Sequence, residues 1–268
     1  MKRILFFLLP AFMAMAFNLQ AQNNTLNNYD KQSRKHGTWV KKYSNGQVRY
    51  KAEFEHGKPV GTTKRYHQNG NLKAVMNFQT SDRVFTELYN KDGDKQAEGY
   101  YLKRKKDSVW TFYDENGRIV AKDSYTKGKR DGKSLKFFHN GDTSNIVPWT
   151  DGKRDGKIRQ FFDNGKEKLI GYYSNGKLEG PLTIFYPSGF KKVEGRYNNN
   201  LREGKWIYYD EEGDTSKVIN YIDGKPENEE QLERKETKEI RELENNQGKF
   251  DDPRNMLYER NRRNQRRR

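Results

Sequence analysis

The feature that most constrains this chain is a glycine that returns every 24 residues. Each of these turn glycines follows Asn, Asp, Ser or Glu, and one spacing is 23 instead of 24. They are Gly46, Gly70, Gly93, Gly117, Gly141, Gly165, Gly189 and Gly213. A fixed period of this length is typical of a repeat array, in which each unit gains stability by stacking on its neighbours. We number the units 1 to 8 by their turn glycines.

Aromatic residues keep the same phase as the turn glycines. A ring stands eight residues after every one of them, at Phe54, Phe78, Tyr101, Tyr125, Trp149, Tyr173, Tyr197 and Tyr221. A second ring stands four residues before the glycine in seven of the eight units. Two runs of β-forming residues around an Asn-Gly-like turn predict a β-hairpin for each unit.

The alternation of side chains along a strand predicts two different faces. Counting through the turn places both sets of rings on one apolar face, where the rings eight after the glycine form an aromatic ladder in the core. The same count places Trp39, Trp110 and Trp206, each seven residues before a glycine, on the opposite, mixed face. There they are candidates for binding a partner.

These patterns predict an all-β fold, an elongated antiparallel sheet solenoid of about eight hairpins over residues 36–225. The third unit lacks one residue, which predicts a local irregularity there. Only 32% of the chain is hydrophobic, whereas a globular domain has about 45–50%. Such a composition argues against a thick core and a deep-pocketed enzyme.

Residues 1–21 have the order of a secretory signal peptide: Met-Lys-Arg, an apolar stretch over residues 4–17, and a small residue at Ala21. A membrane anchor is the alternative, but fourteen residues make a helix of about 21 Å, short of a bilayer core of about 30 Å. We therefore expect an exported protein of the periplasm, the cell surface or the medium, with a linker over residues 22–35. The absence of cysteine excludes disulfides and thiolate sites.

The composition changes after the repeats. Residues 226–247 are rich in charged helix formers and carry a thin apolar stripe of Leu232, Ile240 and Leu243, which predicts a solvated helix, one that could cap the last hairpin. Residues 248–268 form an Arg-rich tail, for which charge repulsion predicts disorder. Its candidate binding residues are Arg262, Arg263, Arg266, Arg267 and Arg268.

The chain carries a formal charge of +16, and its basic runs recur at the connections between hairpins. Lys129, Arg130, Lys153 and Arg154 belong to two such runs and are predicted to line one long side of the sheet. Such runs keep sheet edges from pairing with other sheets. Because they recur in phase, they could also attract an anionic lipid, a polysaccharide or an acidic protein.

Tests for catalytic chemistry predict no enzyme and no cofactor. The four histidines occupy turns or loops without metal-ligand spacing, and no Gly-x-Ser-x-Gly elbow or phosphate-binding glycine loop occurs. The segment Asn90–Asp94 is similar to half of a calcium loop, but no glutamate closes it. Turn chemistry explains this segment equally well.

Three segments carry a resemblance to a known family, whose variant has the pattern Gly-x-Trp-x-x-Tyr/Phe-x-x-x-Gly: residues 37–46, 156–165 and 204–213. Residues 204–213 fit the whole pattern, whereas Ile158 replaces the tryptophan in the second segment and Tyr43 lies one place late in the first. The three segments resemble MORN repeats, most closely the 24-residue variant of bacterial YwqK-type antitoxin-like proteins. The resemblance covers residues 36–225. It implies an elongated sheet of hairpins that serves as a scaffold, with protein partners or membrane phospholipids as ligands.

Three functions remain open from the sequence. The leading hypothesis is an exported, monomeric scaffold that binds another protein of a bacterial envelope. The alternatives are direct binding of an anionic membrane or polysaccharide, and neutralisation of a toxin protein, as the antitoxin label of the family implies. Nucleic acid is not an expected partner, because export separates the chain from it.

Overall fold

The computed structural model describes residues 26–227 and 238–246. These residues form a 20-stranded sheet and one helix, α1, over Lys238–Asn245. The strands are β1 Asn28–Tyr29, β2 Lys35–Lys42, β3 Val48–Glu55, β4 Lys58–Tyr66, β5 Leu72–Phe78, β6 Arg83–Tyr89, β7 Lys95–Leu102, β8 Lys105–Tyr113, β9 Ile119–Thr126, β10 Lys129–Phe137, β11 Thr143–Thr150, β12 Lys153–Arg154, β13 Gly156–Phe161, β14 Glu167–Ser174, β15 Lys177–Leu178, β16 Gly180–Phe185, β17 Lys191–Asn198, β18 Leu201–Tyr209, β19 Thr215–Ile222 and β20 Lys225–Pro226.

The sheet is an antiparallel meander in which strands pair with their neighbours in chain order. Two strands are each divided into two pieces, β12 with β13 and β15 with β16. Both pieces of the first pair with β11, and both pieces of the second pair with β14. The predicted all-β, elongated hairpin sheet is confirmed.

The turn glycines lie in three-residue hairpin loops. In unit 1 the Tyr43 N–H donates to the Gln47 carbonyl at 2.8 Å and the Gly46 N–H donates to the Tyr43 carbonyl at 3.1 Å. Gly46 has a φ of 83°, a left-handed conformation that glycine adopts without steric cost. This geometry is a type I turn followed by a bulge. Every hairpin then shows a register shift two to four residues beyond its glycine.

The other ends of the strands are joined by two-residue turns. Residues 56–57 have φ of 48° and 82°, and two positive values define the type I′ turn that suits the twist of a hairpin. Residues 199–200 turn in the same way with two asparagines, at 49° and 74°. Asn200 therefore replaces glycine, as expected from the tolerance of asparagine for this region.

The predicted irregularity near unit 3 is confirmed. Phe78 pairs with Val84, and residues 79–82 form a longer connection in place of a two-residue turn. The next connection uses Lys103 and Arg104 at φ of 49° and 64°, where most other units have a glycine. The β5–β6 pair also lacks the two-residue register shift that β3–β4 shows, and this loss outweighs the longer connection and accounts for the missing residue. The hairpins on either side keep their register.

The buried apolar side chains form two separate clusters. A smaller one lies in units 3 and 4 around Ala97, Trp110, Phe112 and Ala121. A larger one extends from Ile158 to Tyr221 and includes Ile240 and Leu243 of α1. The predicted apolar stripe of the helix therefore does face the core, although Leu232 lies outside the described residues.

The sequence predicts that the helix could cap the last hairpin, but α1 contacts more than that hairpin. It packs across several units, because its two apolar residues join a cluster that begins in β13. Residues 26–35, the described part of the predicted linker, also join the sheet: β1 pairs with β2, and the Asn27 N–H donates to the Thr38 carbonyl at 2.9 Å. This contact covers an edge strand that would otherwise offer unpaired backbone groups. The predicted signal peptide and Arg-rich tail lie outside the described residues.

Candidate binding face

One face of the sheet, which we call the ring face, carries the rings eight residues after the turn glycines. Residues that pair across two strands lie on the same face. In unit 1, Phe54 pairs with Gly37 and Ala52 pairs with Trp39. The positions seven and nine before the glycine therefore share the ring face with the positions six and eight after it.

The predicted placement of the tryptophans on the mixed face is wrong. Trp110 and Trp206 lie on the ring face and are 0% exposed. Trp39 is half-buried, and its indole N–H donates to the Asn28 carbonyl at 3.0 Å. The error comes from the bulge: Lys41 pairs with Tyr50 and Lys42 pairs with Val48, so one extra residue reverses the alternation between the two strands.

The rings four residues before the turn glycine lie on the mixed face, not beside the ladder. The Tyr113 hydroxyl donates to Glu98 at 2.5 Å, and the Tyr209 hydroxyl donates to Glu194 at the same distance. Burial and the hydrogen bond to Glu98 together raise the pKa of Tyr113 to about 12. The same bulge explains this second correction, because a one-residue offset exchanges the faces.

The aromatic ladder itself lies on the ring face, but its burial is uneven. Trp149, Tyr173, Tyr197 and Tyr221 are at most 6% exposed. The four rings of the earlier units, Phe54, Phe78, Tyr101 and Tyr125, are half-buried. The fully buried half is the half that helix α1 joins.

A row of cations lies over the rings. The position eleven residues before the turn glycine carries a basic side chain in five of the eight units, at Lys35, Lys106, Arg130, Arg154 and Arg202. The Lys35 ammonium lies 4.4 Å from the Trp39 ring centre, and the Arg202 guanidinium carbon lies 5.3 Å from that of Trp206. A cation at this distance is attracted by the π electrons of the aromatic ring. Lys35, Lys106 and Arg202 were missed as site residues, although their common spacing is visible in the sequence.

Helix α1 is held by one member of this row. Arg202 donates two hydrogen bonds to the Glu244 carboxylate, at 2.9 and 3.0 Å, and a third to the Tyr221 hydroxyl at 2.9 Å. The Tyr197 hydroxyl donates to the same carboxylate at 2.7 Å. A bidentate pair of this kind combines charge with fixed geometry. The Arg202 side chain is only 7% exposed.

The protonation states follow from these contacts. Burial opposes a charged Arg202, but the hydrogen bonds and the charge of Glu244 outweigh it and raise the pKa of Arg202. Burial and then the negative charge of Glu244 raise the pKa of Tyr197 far above its usual value. Arg202 is therefore a cation and Tyr197 a neutral donor at every physiological pH.

A second cation of the row meets the end of the helix. Arg154 donates to the Asn246 carbonyl and to the Tyr173 hydroxyl, each at 3.2 Å. Carbonyls at a helix C-terminus lack intrahelical partners and carry partial negative charge, which a cation stabilises. The ring face thus receives α1 through two apolar side chains, one carboxylate and one carbonyl.

The predicted basic surface separates into two parts. Arg130 and Arg154 lie on the ring face over Trp149. Lys129 and Lys153 are exposed, and each follows a two-residue turn. This position recurs as exposed lysine along one edge of the sheet, which we call the lysine edge: Lys58, Lys105, Lys129, Lys153, Lys177 and Lys225. The five tail arginines lie outside the described residues.

The described residues contain no group of three or more His, Cys, Asp or Glu that could hold a metal ion. The segment that resembles a calcium loop is a turn, because the Asn90 side-chain oxygen accepts from the backbone N–H groups of Asp92 and Asp94 at 2.9 and 2.8 Å. In the same part of the chain, no helix is both long and apolar enough to cross a bilayer.

These features define a class, the hairpin-repeat proteins whose units stack into one continuous sheet. Residues 35–56 and 59–80 match the family described as MORN repeat variant. The chain thus contains MORN-variant repeats, and the hairpin geometry of these two units continues to the eighth.

No curated protein matches the chain. Among solved structures, a crystal structure of an S. aureus TarM mutant in complex with Fondaparinux, alpha-GlcNAc-glycerol and UDP is 11% identical with a TM-score of 0.29. The match covers 44% of this chain and 21% of that one. A second TarM structure is 10% identical with the same TM-score and covers 44% and 20%. The match spans about a fifth of the length of these TarM chains.

Proposed function

We propose that this chain is a non-enzymatic repeat scaffold, exported to a bacterial envelope, that binds a protein partner on the ring face of units 1 to 3. MORN repeats are generally associated with protein or membrane binding. The single observation that carries the proposal is the docking of α1, because it shows which chemistry the ring face accepts. That chemistry is an amphipathic helix with two apolar residues and a carboxylate placed on a cation of the row.

Unit 1 repeats the receptor half of this contact. Lys35 lies over Trp39 and also over Phe54, at 4.4 and 4.9 Å from the ring centres. Arg202 lies over Trp206 and Tyr221 in the same way. Both rings in unit 1 are half-buried and therefore keep apolar surface that a partner helix can cover. The partner proposed here presents an acidic amphipathic helix.

An affinity capture of the full chain from envelope extract tests this function. We expect a defined protein partner, whose recovery is lost in a Lys35→Glu variant because the reversed charge repels an acidic helix. Lys58→Glu is the matched control, since it makes the same charge change on the lysine edge. Equal recovery by both variants, or capture of lipid and polymer without a protein, would contradict the proposal.

Binding of an anionic surface is a second candidate, supported by the lysine edge. Its side chains are exposed and four of them, Lys105 to Lys177, recur every 24 residues, although Ser81 and Leu201 interrupt the series and Lys129 is paired with Asp151 at 2.7 Å. Exposed charges are screened over about 10 Å at 0.1 M salt, so this binding should weaken steeply as salt increases. Sedimentation with anionic vesicles or wall fragments checks this, and salt-independent binding would contradict it. No observation favours toxin neutralisation.

Export is a separate part of the proposal. Its support is the order of charged, apolar and small residues over residues 1–21. Sequencing the N-terminus of the chain recovered from a bacterial envelope fraction should give Gln22 as the first residue. An intact Met1 on cytosolic protein would overturn this part and leave the binding chemistry of the ring face standing.

A further inference from the structure

Three units carry a tryptophan seven residues before the turn glycine: unit 1 with Trp39, unit 4 with Trp110 and unit 8 with Trp206. Trp110 and Trp206 are 0% exposed, and Trp206 belongs to the cluster that helix α1 joins. Trp39 is only half-buried. Of these three units, unit 1 is therefore the one whose tryptophan keeps ring surface that a partner can contact.

In units 7 and 8, helix α1 docks on a set of three rings. Trp206 lies edge-on to Tyr197, with ring centres 5.2 Å apart and ring planes at 86°, and edge-on to Tyr221 at 5.9 Å and 66°. The Arg202 cation lies over two of these rings. Arg202 and the Tyr197 hydroxyl both donate to the Glu244 carboxylate. This docking site thus consists of three rings, one cation and one hydroxyl.

Unit 1 has the same arrangement of rings. Trp39 lies edge-on to Tyr29, with ring centres 5.0 Å apart and ring planes at 85°, and edge-on to Phe54 at 6.1 Å and 69°. The Lys35 ammonium lies over Trp39 and Phe54. Lys35 therefore takes the place of the arginine in unit 8, and Tyr29 takes the place of the tyrosine that donates to the helix.

The third ring of unit 1 comes from a different part of the chain. Tyr197 belongs to the hairpin before unit 8, whereas Tyr29 belongs to β1. This short strand is held against unit 1 by the Trp39 indole, which donates to the Asn28 carbonyl. Tyr29 itself is 62% exposed. A ring that served only to shield Trp39 would be buried against it, so an exposed tyrosine at this angle indicates a contact surface.

We infer that Tyr29 completes a docking site in unit 1, in which its hydroxyl and Lys35 receive a glutamate of the partner helix. Tyr197 and Arg202 receive Glu244 in the same way. The inference rests on the proposed function, which places an acidic helix on this part of the ring face. It adds that the N-terminal segment of the chain is part of the binding site.

The sequence pattern of the partner helix follows from α1. Ile240, Leu243 and Glu244 lie on one side of the helix, because residues three and four apart are neighbours. The two apolar side chains are buried in the larger cluster. The partner helix should therefore carry two apolar residues three positions apart, followed directly by a glutamate. Its carboxylate is needed because a neutral amide cannot pair with a cation.

A peptide with the sequence of residues 238–246 is the probe, and the full chain is the receptor. A covalent link between side chains at positions 241 and 245, both exposed in α1, keeps so short a peptide helical. The chain has four tryptophans, so the indole N–H resonances distinguish Trp39 from the others. We expect titration to shift the Trp39 resonance to saturation, with a dissociation constant below about 1 mM. The same peptide with Glu244→Gln should bind more weakly.

The variant Tyr29→Phe isolates the hydroxyl, because it keeps the ring. Loss of one hydrogen bond to a charged group should weaken peptide binding roughly tenfold. Tyr66→Phe is the matched control, since it removes a hydroxyl from the mixed face and should leave the affinity unchanged. Lys35→Glu should abolish the shift of the Trp39 resonance, because the reversed charge repels the glutamate.

Three results overturn the inference: no shift of the Trp39 resonance, equal affinity of the natural chain and Tyr29→Phe, or a shift confined to Trp110 or Trp206. A Trp39 resonance that changes with the concentration of the chain alone would assign the site to a second copy and overturn it as well. Capture of a partner that depends on Lys35 but not on Tyr29 leaves the proposed function standing without the inference. Peptide binding through Tyr29 with no partner captured from envelope extract does the reverse.

Discussion

At the scale of single residues, the ring face depends on positions where a side chain is absent. The backbone at Gly99 faces the ring of Trp110, and that at Gly195 faces the ring of Trp206. A β-carbon at Gly195 would lie 2.3 Å from the Trp206 ring, well inside van der Waals contact. Glycine is needed at these two positions because the tryptophans lie flat against the strand, and both rings are fully buried as a result.

We expect Gly195→Ala to destabilise the sheet by about 1–3 kcal/mol, because a rigid buried indole cannot move away from the added methyl group. Gly171→Ala is the control: its β-carbon would lie 3.1 Å from a terminal carbon of Leu182, a flexible neighbour. Urea unfolding followed by circular dichroism measures both. A loss at Gly171 as large as that at Gly195 would show that the close approach to tryptophan is not the cause.

A second prediction at this scale concerns Asp114 in the turn of unit 4. Burial alone would raise the pKa of Asp114, but hydrogen bonds from the Arg118 backbone and side chain and from the Asn116 N–H lower it below its ordinary 3.8. A depressed folded pKa contributes stability above the unfolded value, and this contribution is lost as the pH falls through the folded pKa. Unfolding free energies of the natural chain and of Asp114→Asn should therefore converge below about pH 4. A constant difference from pH 7 to pH 2 would exclude this linkage.

At the scale of elements, α1 joins parts of the chain that the meander keeps apart. Most contacts in the sheet link consecutive strands. Glu244 instead meets Tyr197 and Arg202, and Asn246 meets Arg154 across 92 residues of sequence. Such contacts make the later units depend on the helix, whereas the earlier units depend only on their neighbours.

We expect Glu244→Ala to cost roughly 3 kcal/mol, because it leaves the buried Arg202 cation without its carboxylate. Asn245→Ala, on an exposed residue next to it in the helix, should change stability little. Replacing both partners, as Arg202→Met with Glu244→Met, should recover most of the loss, since no charge is then left buried. Thermal unfolding of the natural chain and the three variants measures this series. A double variant that is less stable than Glu244→Ala would contradict the prediction.

How far the sequence could predict this structure also depends on the element. The hairpins, both kinds of turn and the irregular third unit follow from glycine spacing and from residues such as Asn200, which are local properties. The face of Trp110 and Trp206 could not be predicted by counting, because one bulge residue in each hairpin reverses the alternation. The contact between Glu244 and Arg202 was missed because it joins distant segments, although the recurrence of basic residues eleven before the glycine was a visible sign.

At the scale of the whole molecule, the sheet is a linear array in which the hairpin is the indivisible unit. Each unit contributes one strand in each direction. A strand with the same direction and with its rings on the same face therefore recurs only after a full 24-residue period. Stability then follows from neighbouring contacts, and a unit far from α1 can be removed without disturbing the rest. The first cluster residue that shares a core with α1 is Ile158, which leaves units 1 and 2 independent of the helix.

Deletion of residues 47–70, which removes β3 and β4 and joins Gly46 to Asn71, should therefore preserve the fold. The 24-residue cut lets β2 pair with β5 on the same face as before, and the loss of stability should be limited to one unit. A 12-residue deletion of 47–58 is the matched control, because it leaves a strand running in the wrong direction after the turn and places its rings out of phase. Far-UV circular dichroism and urea unfolding should show a cooperative sheet for the first chain and its loss for the second. Similar behaviour of the two deletions would mean that the hairpin is not the unit of stability.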